Sequence, residues 1–175
     1  MTEYFDKVDQ NDYVIGKISR EEAHEFNLMH RAVHIFIKGK NGKWLLQKRS
    51  AKKDLDPLLL TTSCSGHVDS GESYSEAAIR ECREELGLTI STNELTEILR
   101  CSPCEETGME FVRVYVIEKK FEKITHSPDE IVDIFHYSID DLSNETEAES
   151  AKFSRSFLHI FRLLRSKIST YSRDS

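Results

Sequence analysis

The segment GHVDSGESYSEAAIRECREELGL, residues 66–88, places Glu72, Glu76, Glu81, Glu84 and Glu85 in one short run of a chain that is already acidic. This run constrains the fold more than any other stretch. Ser73 suits an N-cap and Gly87, without a Cβ, suits a left-handed C-cap, so the spacing predicts a helix from near Ser73 to near Gly87. At about 100° per residue, Glu81, Glu84 and Glu85 fall within an arc of roughly 100°. Ala78, Ile79, Cys82 and Leu86 form a neighbouring apolar arc that can dock on a sheet. Arg80 and Arg83 lie outside the acidic arc, so local pairing is expected to leave it un-neutralised. Like charges at i,i+3 and i,i+4 cost a few tenths of a kcal/mol each, and more when desolvated. A hard divalent cation held by carboxylate oxygens offsets that cost, and Mg²⁺ would take its remaining ligands from water and substrate phosphates. The competing reading is a plain solvated face. Gly66 and Gly71 bracket the loop that enters the helix, which lets the backbone approach a ligand.

With 175 residues, the chain supports one domain with a sizeable core. Its formal net charge of −7 argues against binding a nucleic-acid polymer. It also means that a polyanionic substrate needs metal ions or a local basic patch. No segment approaches the ~20 apolar residues of a membrane span. The first residues, MTEYFDKVDQNDY, lack an apolar signal core. Four cysteines do not resemble a secreted disulfide framework, and a cytoplasmic location is expected.

FDKVDQNDYVIGKIS reads as a hairpin around a polar turn at residues 10–12, and residues 19–29 as a short helix behind the N-cap Ser19. RAVHIFIKGKNGKWLLQKRS gives two strands joined by Lys40-Asn41-Gly42, and AKKDLDPLLL a loop closed by Pro57. Three more strands are expected in ELTEILRC, MEFVRVYVIEKKFE and EIVDIFHYS. SIDDLSNETE begins a short helical turn, and a terminal helix carries Phe153, Phe157, Ile160, Phe161 and Leu164 on one stripe. The fold class is α/β with a mixed sheet. A single domain over residues 1–175 divides into an N-terminal hairpin and short helix (1–30), a core (31–138) and a C-terminal helical segment (139–175). The terminal stripe reads as core-facing, with a homodimer interface as an open alternative.

Gly66, then Glu72, then Arg80-Glu81-Cys82-Arg83-Glu84-Glu85-Leu86-Gly87-Leu88 resembles the signature of the Nudix hydrolase superfamily, G-x5-E-x7-R-E-U-x-E-E-x-G-U with U apolar. Every fixed position matches, with Cys82 a less usual apolar residue. The resemblance implies an α/β/α sandwich with a catalytic loop-helix. It also implies metal-dependent cleavage of a nucleoside diphosphate linked to another group, or of a related organic diphosphate, with Mg²⁺ as cofactor and Mn²⁺ as substitute. Glu81, Glu84 and Glu85 would be metal ligands, one of them or a later loop glutamate the general base, and Glu72 and Arg80 would brace the site. Glu110, outside the signature, would complete the metal site.

Over residues 4–121 the chain is most similar to isopentenyl diphosphate isomerases and their hydrolase relatives. His24, His30, His67 and Glu110 fall near the isomerase metal ligands, and Arg20, Arg49 and Lys53 where those enzymes hold the diphosphate. His67 is a candidate substrate contact. Two departures favour hydrolase chemistry. Ser65 stands where the isomerases place their proton-transfer cysteine, and Cys64, one residue earlier, would face the other side of a strand. Gly108 occupies the position of a second acidic partner. An isomerase, or a catalytically silent diphosphate-binding module, remains the alternative.

Each of these residues has a plainer reading. His30 and His34 suit core histidines bonded to backbone, His24 an exposed helix position, and Arg49 and Lys53 a solvated basic loop. Cys101 and Cys104 form a lone C-x-x-C, read as structural cysteines around a turn at Pro103.

Overall fold

The computed structural model describes residues 2–39, 41–119 and 124–171. The chain opens with an antiparallel hairpin, β1 (Tyr4–Val8) and β2 (Val14–Ser19), followed by the helix α1 (Arg20–Glu25). The polar turn forms because the Asp9 carboxylate accepts from the amides of Asn11 and Tyr13 at 2.8 and 3.0 Å. Ser19 and Glu22 make a capping box that starts α1.

Strand β3 (His30–Lys38) is the spine of the main sheet and starts one residue before the expected core boundary. It runs parallel to β8 (Glu110–Glu118), pairing His30 with Glu110 at one end and Lys38 with Glu118 at the other. On its other edge it pairs antiparallel with two strands in succession. It meets β4 (Trp44–Arg49) at Ile37 and Lys38, and β6 (Cys64–His67) from Ile35 back to Ala32. The sheet therefore forks. β4 diverges to pair with β5 (Leu60–Thr61) and β9 (Ile131–Tyr137), while β7 (Thr96–Cys101) pairs with β8. The short strands β5 and β6 lie in a stretch whose composition carried no strand signal. Lys40 of the expected turn and residues 120–123, after β8, lie outside the described residues.

Alternation along the strands sorts side chains between two cores. On one face Val33, Ile35, Ile37, Cys64, Tyr115 and Ile117 pack against Ala77, Ala78, Cys82 and Leu86 of α2 (Tyr74–Leu86). On the other, Ala32, Phe36, Val112, Val114 and Val116 pack against Phe153, Phe157, Ile160, Phe161 and Leu164. Those five belong to α4 (Arg155–Tyr171) and the residues just before it, and Leu142 of α3 (Ile139–Ala148) joins them. Phe153 lies ahead of the helix, yet is as buried as the stripe it was expected to begin. The result is an α/β/α sandwich on a mixed sheet. Helix α2 has the predicted ends: Ser73 and Glu76 form a capping box, and Gly87 takes φ 64° and ψ 25°.

Candidate active site

A cavity of about 680 Å³ opens at the fork. Its walls come from α2 (Arg80, Glu81, Glu84, Glu85), β6 (Ser65, Gly66, His67) and the basic residues Arg49, Lys52 and Lys53 after β4. Glu72 and His30 apart, every residue singled out from the sequence as catalytic, metal-binding or substrate-binding lines this cavity. Eleven Asp and Glu side chains line it against five Lys and Arg, so a polyanion meets repulsion there unless cations accompany it.

Gly66 shapes the first wall. A Cβ on it would lie 2.0 Å from Glu81 Oε1, so only glycine leaves that carboxylate its place beside β6. Arg80 corrects the expectation that the arginines leave the acidic arc alone. Its Nη1 donates to Glu81 Oε1 at 2.6 Å and lies 3.4 Å from Glu84 Oε2. A long arginine reaches past its own Cα direction, so the helical wheel understates its range. The same guanidinium forks onto Glu72 at 3.0 and 2.9 Å and donates to the His67 carbonyl at 2.9 Å, which ties loop, strand and helix together. Glu72 thus stands behind the cavity as a brace.

Glu85 is buried in the fork itself. Its Oε2 accepts from Gln47 Nε2 of β4 at 3.0 Å and lies 3.4 Å from the Ser65 amide of β6. Burial pushes Glu85 up to about 7, with Lys53 opposing and Glu130 adding to the rise. Burial and then the neighbouring Glu85 push Glu81 up to about 8, although Arg80 pulls the other way. Glu84 sits half-exposed at the rim. Two desolvated carboxylates raised toward neutrality in one cavity form a donor set suited to a divalent cation, whose charge reverses the shift.

A second polar group lies on the opposite sheet face. The β3–β8 register sets His30 beside Glu110, and the β3–β6 register brings His67 opposite Ala32. Glu110 Oε1 is 3.1 Å from His67 Nε2 and 3.6 Å from His30 Nε2. His24 of α1 completes the group, and the ring nitrogens of the three histidines lie within 4.8 Å of one another. His30 Nδ1 donates to the Leu28 carbonyl at 2.8 Å, which leaves its Nε2 a lone pair facing a carboxylate. His24 Nε2 and His30 Nε2 are buried with no hydrogen-bond partner. Those orphaned lone pairs, with Glu110, fit a metal ion. Phe5 forms the floor, stacked on His67 at 4.5 Å and on His30 at 5.4 Å. Glu110 therefore lies with the histidines rather than among the α2 carboxylates, although Glu110, His24 and His67 line the same cavity as those carboxylates. His24 is half-buried rather than exposed, and burial pushes it down to about 4. His34 is a core histidine on Thr62 Oγ1 at 3.0 Å, also pushed down to about 4 by burial.

The β6 alternation separates Cys64 from Ser65. Cys64 is fully buried in the α2 core with its thiol pushed well up by burial, whereas Ser65 lines the cavity. Of the basic candidates, Arg20 pairs with Asp54 at 2.9 Å and Lys53 with Glu130. Arg49 donates to the Leu55 carbonyl at 3.0 Å, and among the described residues no carboxylate reaches it within ion-pair distance. Gln47, Glu130 and Phe5 escaped the sequence reading. A buried glutamine in the apolar strand Trp44-Leu45-Leu46-Gln47 was the signal available for the first; the other two carried none.

A protein-family model of the NUDIX domain matches residues 28–159. The chain belongs to the Nudix family. An uncharacterised Nudix hydrolase of Clostridium acetobutylicum is 34% identical over 150 residues, 81% of this chain and 72% of that one. The isopentenyl-diphosphate Delta-isomerase of Serratia proteamaculans is 33% identical over 165 residues, 93% of this chain and 91% of that one. A crystal structure from Deinococcus radiodurans superposes with a TM-score of 0.76 at 27% identity, covering 94% of this chain and 98% of its own. This Nudix chain is an enzyme of the hydrolase type, and Nudix hydrolases generally depend on a divalent metal. Among the described residues no helix is long and apolar enough to cross a membrane.

Proposed function

We propose that this Nudix hydrolase uses Mg²⁺, with Mn²⁺ as substitute, to cleave a diphosphate linkage in a nucleoside diphosphate derivative or related organic diphosphate. The observation that carries it is the convergence of the partly buried Glu81 and the buried Glu85, on successive turns of α2, on one cavity beside the exposed Glu84. Glu81, Glu84 and Glu85 would hold the catalytic ion, and Glu110 with His24, His30 and His67 a second. When bound, a divalent ion screens phosphate oxygens and lowers the pKa of a coordinated water. Arg49, with no carboxylate at ion-pair distance among the described residues, meets the substrate phosphate, with Lys53 and Arg20 turning to it from their present carboxylates. One of the α2 glutamates, or another carboxylate of the cavity wall, accepts the water's proton. Arg80 and Glu72 keep those groups in place.

The isomerase reading also has an observation behind it: the Serratia relative spans nearly the whole chain, and the histidine–Glu110 group resembles the isomerase metal site. Ser65 at the proton-transfer position weighs against it, because a hydroxyl is a far weaker acid than a thiol, and Cys64 faces the other side of the sheet. A panel of nucleoside diphosphate derivatives and alcohol diphosphates, assayed with Mg²⁺ for released phosphate or monophosphate, tests the proposal. Hydrolysis is expected, with no solvent deuterium entering isopentenyl diphosphate. Deuterium exchange without hydrolysis of any member would overturn it.

A further inference from the structure

The cysteine pair in Cys101-Ser-Pro-Cys104 divides on folding. Cys101, on β7, is buried in the core beneath α4, whereas Cys104 is half-exposed and turned toward His159 of α4. Its Sγ lies 3.7 Å from His159 Nε2, and the Glu106 carboxylate joins them so that the three donor atoms lie within 4.8 Å of one another. Zinc–sulfur and zinc–nitrogen bonds of about 2.3 and 2.0–2.1 Å at a tetrahedral angle place the two ligand atoms about 3.6 Å apart. The pair is therefore already at ligand spacing. Thr107 Oγ1 lies 3.4 Å from Sγ, and its one proton, now facing the Cys104 and Glu110 carbonyls at 3.3 and 3.4 Å, can turn to a thiolate. The neighbouring Arg155 is paired with Glu105 at 3.1 Å, so its charge is locally offset.

We infer that Cys104, Glu106 and His159 form a site for a borderline-soft divalent ion of the zinc class, which fastens the turn after β7 to helix α4 at the mouth of the active-site cavity. One thiolate, one imidazole and one carboxylate select such an ion over Mg²⁺, which takes oxygen donors, so this site and the α2 carboxylates sort different metals. Three protein donors leave a fourth position for water. Binding releases the Cys104 thiol proton to solvent. Glu106 and Thr107 themselves line the cavity, and β8 with Glu110 begins three residues beyond the turn, so the ion would restrain one wall of the proposed active site.

Cobalt(II) titration of the full chain in excess Mg²⁺ tests this inference. Thiolate-to-cobalt charge transfer gives a near-ultraviolet band that neither the histidine group nor the α2 glutamates can produce, because neither contains sulfur. The band is expected to saturate by two equivalents, the histidine group taking the other ion without a sulfur band, to vanish in Cys104→Ser, and to need at least about tenfold more cobalt in His159→Gln and Glu106→Gln. It should persist in His67→Gln. Circular dichroism checks each fold, and either Cys104→Ser or His159→Gln suffices if the other fails to fold. Absence of the band with cobalt in excess of both sites, or a band unchanged in either variant, would overturn the inference.

Discussion

Gly66 shows how a missing side chain organises the site. The atoms that an added Cβ would strike are Glu81 Oε1 and Cδ, at 2.0 and 2.2 Å, the far end of a flexible chain. Gly66→Ala should therefore displace Glu81 rather than unfold the protein. Its kcat is expected to fall by roughly 10²–10⁴, the range for losing a positioned catalytic carboxylate, matching Glu81→Gln, with melting temperature little changed. Steady-state kinetics and calorimetry on both variants check this. The same carboxylates set a pH dependence. Glu81 near 8 and Glu85 near 7, against 4.5 ordinarily, retain protons in the folded state that the unfolded chain has released. The stability this confers is full below 4.5 and is lost as pH rises through 7 and 8. His24 and His34, pushed down to about 4 from 6.5, oppose it only below about 6.5. From pH 6.5 to 8 the metal-free protein should lose melting temperature, and Glu81→Gln should flatten the slope. A rise across that window in chelator would contradict the assignment.

At the scale of elements, α2 depends on its ends. The Ser73–Glu76 capping box opens it, and Gly87 closes it at φ 64°, where the Gly87 amide bonds to the Arg83 carbonyl at 3.1 Å. A Cβ at Gly87 would also come within 2.9 Å of the Thr125 backbone oxygen, which cannot swing aside as a side chain does. Gly87→Ala is expected to cost at least about 1 kcal/mol, read as a lower urea midpoint at unchanged m. The hairpin matters in another way. Asp6 binds Ser70 and Gly71 at 2.8 and 3.2 Å, and Phe5 underlies the histidines, so an element distant from α2 in sequence builds part of the cavity.

At the scale of the whole molecule, the acidic excess of the cavity sets the order of events. A diphosphate enters a site with eleven carboxylates and five basic side chains, so the cation must bind first or with it. Calorimetric titration with a non-hydrolysable imidodiphosphate is expected to show binding in Mg²⁺ and none in chelator. Mg²⁺ alone should raise the melting temperature with the logarithm of its concentration. Tight analogue binding in chelator would show that Arg49, Lys53 and Arg20 suffice and that the acidic wall has another purpose.

The sequence by itself determined the limits and faces of α2, the hairpin, the strands β3, β4, β7, β8 and β9, and the α2 glutamates and basic residues that the cavity brings together. These follow from caps, turn residues and periodicity, each a local property of the chain, and from a signature whose spacing is contiguous. Only the tertiary structure decided that Glu85 rests on Gln47 and that Arg80 reaches Glu81, and it chose between the two places the sequence offered Glu110, setting it with His30 and His67. It also turned Cys104 away from Cys101 toward His159. Those outcomes depend on a forked strand pairing and a parallel register between residues some eighty positions apart. Side-chain type does not encode such partners; the cooperative packing of two cores selects them.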